Sequence, residues 1–312
     1  LFNNQPMGFY SLDALGRDAN RHGVTVALPE VNRSDVYCTV EDGGIRIGLG
    51  FLRDWGWDIA EQLVVERERH GPFQGLGDLV RRAPARLSRD AIENLVWVGG
   101  CDTFGLTRRE LLWQVGLWLP PKAEQPARSR VRRQLELPLV HPYESLRFGD
   151  VAARERLVAE YDVLGFSASG HPFTLLRNEL PAGIVRSDHL ETLVHGAEVQ
   201  VAGLVVARQR PETARGYTFI LLEDEAGMMN AIVRPDVYER DRIAVRGEPF
   251  IQVTGTLARD DGTVNLIAEE IKPLNLGRTD HAAAGTPYRV DERPFSFLKD
   301  LRRHAPSSKN WA

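Results

Sequence analysis

The densest acidic run in the chain is Glu223-Asp224-Glu225, and a second pair follows at Asp260-Asp261. Carboxylates support two-metal phosphoryl transfer only when they converge on ions about 4 Å apart. Both clusters adjoin predicted hairpin turns, where neighbouring side chains point to opposite faces. A solvated turn is the expectation for each. His171, in Ser169-Gly170-His171-Pro172, has no nearby Cys or Ser partner and reads as a structural histidine. No P-loop, nucleophile elbow or zinc spacing occurs, and Cys38 and Cys101 make no metal pair. No catalytic residue and no metal ligand are therefore assigned.

What the sequence does offer is groups that hold phosphate. Asp54-Trp55-Gly56 lies between two short predicted helices, and Val98-Gly99-Gly100 follows another. Glycine at such a turn lets backbone N–H groups approach a phosphate, and the next helix adds partial positive charge from its N-terminus. Two such units would grip a sugar-phosphate backbone without reading bases, although any αα-hairpin also favours glycine. Gly56, Gly99 and Gly100 are the expected duplex contacts, with Arg53 and Arg108 beside them. Arg46, Arg81, Arg82, Arg86, Arg89 and Arg109 surround the same turns, and several must simply face water.

Further along, Arg208, Arg210 and Arg215 fall on a predicted loop that runs into Tyr217 and Phe219. A basic loop beside an aromatic strand holds single strands by phosphate charge and base stacking. Phe219 is equally compatible with a core position. Between Gly196 and Leu274, nine basic residues face thirteen acidic ones, so binding there would be weak and salt-sensitive. Gln134-Leu135-Glu136-Leu137-Pro138-Leu139 could dock as an extended peptide in an apolar groove.

The elements that must position these residues can be read in outline. Ser11 caps a helix through Asn20 that Gly23 ends, and Val24 to Pro29 is extended. Residues 43–119 read as helices broken by glycines, with Ser88 capping a helix to Trp97 and Thr107-Arg108-Arg109-Glu110 forming a capping box. Residues 120–142 form a Pro- and Arg-rich linker, and 143–195 a helical then irregular connection whose clearest helix is Val151 to Tyr161. Residues 196–274 alternate: Val199, Val201, Val205; Tyr217, Phe219, Leu221; Met229, Ala231, Val233; Ile251, Val253; Val264, Leu266. One short helix, Pro235 to Ile243, sits between the third and fourth strands, and Asp261-Gly262 makes a hairpin turn. That is the order of a five-stranded OB-fold barrel. Residues 275–312 form a polar tail. The fold class is α+β and multi-domain.

Composition sets the outer bounds. The 312 residues are 43% hydrophobic and 26% charged, with net charge -4. A wholly disordered or fibrous chain is excluded, no apolar run is long enough for a membrane helix, and bulk charge does not advertise nucleic acid. Only four of the 39 basic residues are Lys, and Arg suits bidentate phosphate contacts. The absence of an initial Met marks a fragment, a processed product or an excised piece, and a reduced, cytoplasmic protein is the default.

Four stretches resemble the C-terminal part of bacterial C-family replicative polymerases, most closely the error-prone DnaE-type branch (ImuC). They are Leu1 to Ser11 with Arg17-Asp18-Ala19 and Arg21 to Val24; Pro29 to Asp35 leading to Ile47-Gly48-Leu49; Glu160 to Ser167 with Gly170-His171-Pro172; and Val201 to Val205 with Arg208 to Pro211 and Gly216 to Phe219. The resemblance implies that residues 1–42 are the end of the fingers. Residues 43–119 become a tandem helix-hairpin-helix element for duplex DNA, and residues 196–274 an OB-fold for single-stranded template. It implies DNA primer-template as partner, with an ImuB-type accessory protein and the sliding clamp as candidates. It implies Mg2+ for the parent polymerase, with no cofactor in this piece, which would be inactive alone. The alternatives are a stand-alone DNA-binding module and a protein-docking platform. Asp54 stands where the first hairpin of the family usually has glycine, and its carboxylate would repel phosphate.

Overall fold

A computed structural model describes residues 1–5, 11–119, 147–260, 262–276, 297–305 and 309–311. The predicted linker, the Gln134 to Leu139 peptide, Asp261 and most of the tail lie outside the described residues. Contacts divide the chain into two compact units: Leu1–Pro6 with Leu15–Leu164, and Met7–Ala14 with Gly165–Ala312. The helix α1 (Leu12–Arg21) begins where predicted, with the Ser11 hydroxyl accepting the Ala14 N–H at 3.1 Å.

The first unit opens on a small sheet. The strand β1 (Val26–Ala27) runs parallel to β3 (Gly44–Arg46), and β2 (Thr39–Glu41) runs antiparallel to β3. Asp42 and Gly43 turn between β2 and β3 with φ of 51° and 76°, the left-handed pair that suits a tight hairpin. Five helices follow: α2 (Trp57–His70), α3 (Leu76–Arg82), α4 (Arg89–Trp97), α5 (Arg108–Trp118) and α6 (Ala153–Leu164). Their starts obey the local chemistry read from sequence. Ser88 accepts the Ala91 N–H, and the Thr107–Glu110 box is complete in both directions. Ala60, Leu63 and Val64 form the buried face of α2, with Ile59 half-buried. Leu49, Leu52, Leu79, Ile92, Leu95 and Leu111 complete the centre of this unit. Cys101 is wholly buried, and that burial pushes its thiol pKa well up.

The second unit is a closed barrel after three short helical pieces, of which two are α-helices, α7 (Pro172–Leu176) and α8 (Ser187–Leu190). His171 is structural, as expected: its Nδ1 accepts the Phe173 N–H at 3.2 Å and caps α7. The barrel strands are β4 (Glu198–Gln209), β5 (Thr218–Glu223), β6 (Met228–Val233), β7 (Phe250–Asp260) and β8 (Thr263–Pro273). Their order is β5-β6-β8-β7-β4, and β4 pairs back onto β5 to close it. This is the expected five-stranded OB-fold. The single predicted helix is two, α9 (Pro235–Arg240) and α10 (Arg242–Gly247), separated at Asp241. The chain continues to α11 (Phe297–His304) and β9 (Lys309–Trp311), whose backbone pairs in parallel with Ala207 to Gln209 of β4.

Closing a barrel requires bends, and two register shifts supply them. One lies between Val205 and Ala207 of β4, the other between Thr254 and Gly255 of β7. A side chain at Gly255 would place its Cβ 2.1 Å from the Ile267 carbonyl oxygen. Gly255→Ala is therefore expected to destabilise the barrel by about 2 kcal/mol, the usual cost of forced overpacking. Urea unfolding followed by circular dichroism reads it, and an unchanged midpoint would contradict the assignment.

Candidate nucleic-acid interface

The first hairpin is built on Trp55. Its side chain is 1% exposed, and its indole N–H donates to the Ala91 carbonyl on α4 at 2.8 Å. The Asn94 amide donates to the Arg53 carbonyl at 3.1 Å and to the Asp54 carboxylate at 3.2 Å. Arg53, expected to meet phosphate, is nearly half exposed, but its guanidinium donates to both the carbonyl and the carboxylate of Asp162. That carboxylate raises the Arg53 pKa above its ordinary value. Gly56 is exposed and begins α2 with φ of 70°. Two carboxylates flank it: Asp54, itself left-handed at φ 67°, and Asp58, which pairs with Arg86. The left-handed φ at Asp54 is the physical reason that glycine suits the position.

At the second hairpin, the expectation for Gly99 and Gly100 requires correction. The Gly99 N–H donates to the Val96 carbonyl at 3.0 Å and the Gly100 N–H to the Leu95 carbonyl at 2.8 Å. This is the Schellman closure of α4, with Gly99 in the left-handed position at φ 85°. Both glycines are buried, and their donors are spent on the helix that they terminate. Glycine is required because a Cβ at Gly99 would lie 2.2 Å from the Arg108 guanidinium, and one at Gly100 would lie 2.2 Å from the Leu95 side chain.

Arg108 needs the same correction. It is 5% exposed, and its guanidinium donates to the Trp97 carbonyl at 2.9 Å and to the Asp102 carboxylate at 3.0 and 3.2 Å. It fastens the end of α4 to the start of α5 rather than facing a ligand. The N-terminus of α5 is also occupied from within. Glu110 accepts the Thr107 N–H at 2.8 Å and the Phe148 N–H at 3.2 Å, while Asp150 accepts the Arg108 N–H at 3.2 Å.

On the barrel, Arg208 fails as a ligand contact for a geometric reason. The register shift after Val205 reverses the alternation of β4, so that Arg208 pairs with Ile220, a residue of the barrel core. It is 7% exposed and donates to the carbonyls of Val245 and Glu248 around the end of α10. Desolvation there lowers its pKa to about 10. Arg210, Arg215 and Tyr217 stay exposed on the loop that enters β5. The Arg210 guanidinium stacks 4.1 Å over the Tyr238 ring.

Thr218, Ile220 and Leu222 form the buried face of β5, with Glu223 also buried at its end, so Phe219 and Leu221 lie on the opposite, half-buried face of the sheet. Phe219 pairs there with Ile232 of β6, which in turn pairs with Ile267 of β8. Asn230 and Asn265 extend the same face and share a 2.6 Å hydrogen bond. The sequence reading missed Ile232, Ile267 and the two asparagines, although their phase opposite Ala231 and Leu266 carried the signal.

The acidic run does not fit a metal. Asp224 accepts from the Ser187 N–H and hydroxyl and from the Ala226 and Gly227 N–H groups, and Arg177 grips both Asp224 and Glu225. Among the described residues no group of three or more His, Cys, Asp or Glu could hold an ion. No described helix is long and apolar enough to cross a membrane.

Glu110 supplies a test of this hairpin. Burial works against its charge, but the N–H donors of Thr107 and Phe148 outweigh it and hold the carboxyl below its ordinary value. A depressed carboxyl contributes stability above its unfolded value and loses it as pH falls through the folded one. Glu110→Gln is expected to cost about 1 kcal/mol at neutral pH, with the difference from the native chain shrinking as acidification protonates the carboxyl in the folded state. Urea midpoints from neutral to acid pH measure it, and a pH-independent difference would contradict it.

Comparison with known proteins fits this architecture. Residues 23–111 match the helix-hairpin-helix motif family, and residues 199–274 match the family described as OB-fold nucleic acid binding domain. Over 280 residues the chain is 38% identical to the error-prone DNA polymerase of Mycolicibacterium paratuberculosis, covering 88% of this chain and 24% of that protein. It is 36% identical over 297 residues to the error-prone DNA polymerase of Anaeromyxobacter dehalogenans, covering 91% and 25%. Among solved structures, asparaginyl-tRNA synthetase from Pyrococcus horikoshii is 21% identical over 28% of this chain and 22% of its own, with a TM-score of 0.26, too slight a likeness to support an inference. The chain thus spans about a quarter of the curated relatives it matches, and over most of its own length it is a homologue of the error-prone DNA polymerases.

Proposed function

We propose that this chain is the DNA-holding portion of an error-prone DNA-directed DNA polymerase, the barrel taking single-stranded template and the hairpin unit lying along duplex. The observation that carries the reading is the joint match of a helix-hairpin-helix segment and an OB-fold, in that order, within a stretch that aligns with such polymerases. The chain supplies contacts and no catalysis. The magnesium on which the parent polymerase would depend has no fitting carboxylate set among the described residues, whose acidic run is already bound by arginine and backbone donors. Extension past damaged template and partnership with an ImuB-type accessory protein and the sliding clamp belong to the same proposal. They rest on resemblance alone.

Within that function, exposure supports a different set of contacts. The outward face of β5, β6 and β8 presents Phe219 and Ile232 for base stacking, with Arg210, Arg215 and Tyr217 on the adjoining loop for the backbone. At the second hairpin the Gly99, Gly100 and α5 donors are internally bonded, so the hairpin unit contributes through exposed side chains such as Arg81 and Arg147. The barrel's excess of acidic residues makes the grip weak and dependent on ionic strength.

Fluorescence anisotropy with a labelled single strand and a primer-template, from about 50 to 200 mM salt, tests the assignment. Phe219→Ala is expected to weaken single-strand binding by about 1–3 kcal/mol, and Arg210→Ala with Arg215→Ala to flatten the salt dependence. Arg208→Met is expected to lower stability instead, through the carbonyls that it leaves uncapped. Asp54→Gly, which removes a carboxylate beside Gly56, is expected to tighten primer-template binding. Folded chain that binds neither DNA at low salt would sink the proposal and favour a protein-docking role.

A further inference from the structure

Tyr37 and Trp57 are 53% and 46% exposed. They stack on one another with ring centroids 5.0 Å apart and planes 22° from parallel. Phe51 meets Trp57 edge-on at 5.3 Å. Gly50 sets this pose, since a Cβ there would lie 2.1 Å from the indole ring. The aromatic pair lines a shallow groove together with Val64, Val65, Asp35 and Glu61. Glu61 stands one turn along α2 from Trp57, on the same face of the helix.

Charge identifies what this groove takes. The other carboxylates around the start of α2 are engaged, Asp58 by Arg86 and Asp54 by Arg53 and Asn94. Asp35 and Glu61 are exposed, and among the described residues no cation pairs with either. Two carboxylates without a cationic partner, Asp35 accepting its neighbour's Val36 N–H at 2.6 Å, lie beside the aromatic stack and repel nucleic-acid phosphate. They attract a guanidinium, which lies flat on a ring while its N–H groups donate sideways to carboxylate oxygens. Lysine makes a poorer match because its ammonium presents no flat face. We propose that this groove docks an arginine-bearing peptide segment of a partner protein, a guanidinium stacking on the Trp57–Tyr37 pair and bonding to Asp35 and Glu61. None of the groove's residues is among the barrel residues assigned to DNA, and because Trp57 directly follows Gly56 of the first hairpin, the oligonucleotide arm below separates this proposal from the duplex assignment.

The test is anisotropy of a labelled Gly-Pro-Arg-Pro-Arg-Gly peptide with the chain, beside the same peptide carrying citrulline, which keeps the shape and removes the charge. The citrulline peptide is expected to bind at least about fivefold more weakly. Trp57→Ala, and separately Asp35→Asn with Glu61→Gln, are expected to weaken the arginine peptide by a similar factor. Tyr37→Ala provides the aromatic arm if thermal melting shows that Trp57→Ala does not fold. Absence of binding, or equal binding by native chain and folded variants, overturns the proposal, the latter because it locates attraction on the acidic surface at large. A single-stranded oligonucleotide that displaces the peptide and is itself lost with Trp57→Ala also overturns it, making the pair a platform for bases.

Discussion

The hairpin unit depends on one buried hydrogen bond. Trp55 is the central side chain of the first hairpin, yet its indole N–H is satisfied by a carbonyl of α4, the helix that opens the second. A buried indole without that acceptor would carry an unpaired donor in an apolar interior. The two hairpins are therefore not independent modules in series. The Asn94 amide reinforces the same junction from the α4 side by bonding the Arg53 carbonyl. Packing of α4 against the first turn fixes where Gly99 emerges, and hence where Arg108 must close over it.

A common economy runs through both units: charged side chains are used first to satisfy the ends of helices. Arg108 ends α4, Arg208 ends α10, and Glu110 with Asp150 satisfies the start of α5. A charged side chain in these positions is costly to bury alone and becomes tolerable because several carbonyls or a carboxylate meet it. What remains for a ligand is a smaller set of exposed arginines and one half-buried sheet face. An acidic protein can hold nucleic acid in this way, by local geometry rather than net charge.

Much of the local structure was readable because its causes are local. Ser88, the Thr107–Glu110 box, the strand alternation of β6 and the order of five strands depend on residues near one another in sequence. The failure at the barrel arginine has one origin. Whether an arginine faces solvent depends on parity, and parity after Val205 depends on a bulge imposed by barrel closure, which no local pattern announces. The alternation of Tyr217, Phe219 and Leu221 was correctly seen, but which of two phases faces the core was decided by pairing with β6. Gly99 and Gly100 were expected as phosphate contacts, and their roles are close approach and a helix end. The acidic run was read as a solvated turn, but Glu223 and Asp224 are buried, and the grip by Arg177 comes from contacts across 47 and 48 positions.

Cys101 lies directly after Gly100, has no exposed surface, and holds its proton against ionisation. A thiol in that state cannot react with an electrophile until the surrounding turn opens. The hairpin thus carries its own clock: the rate at which Cys101 becomes alkylated reports how often the turn after α4 opens. Ligands that secure the hairpin slow that clock and those that loosen it quicken it, so conformational breathing can be timed without adding a probe to the interface.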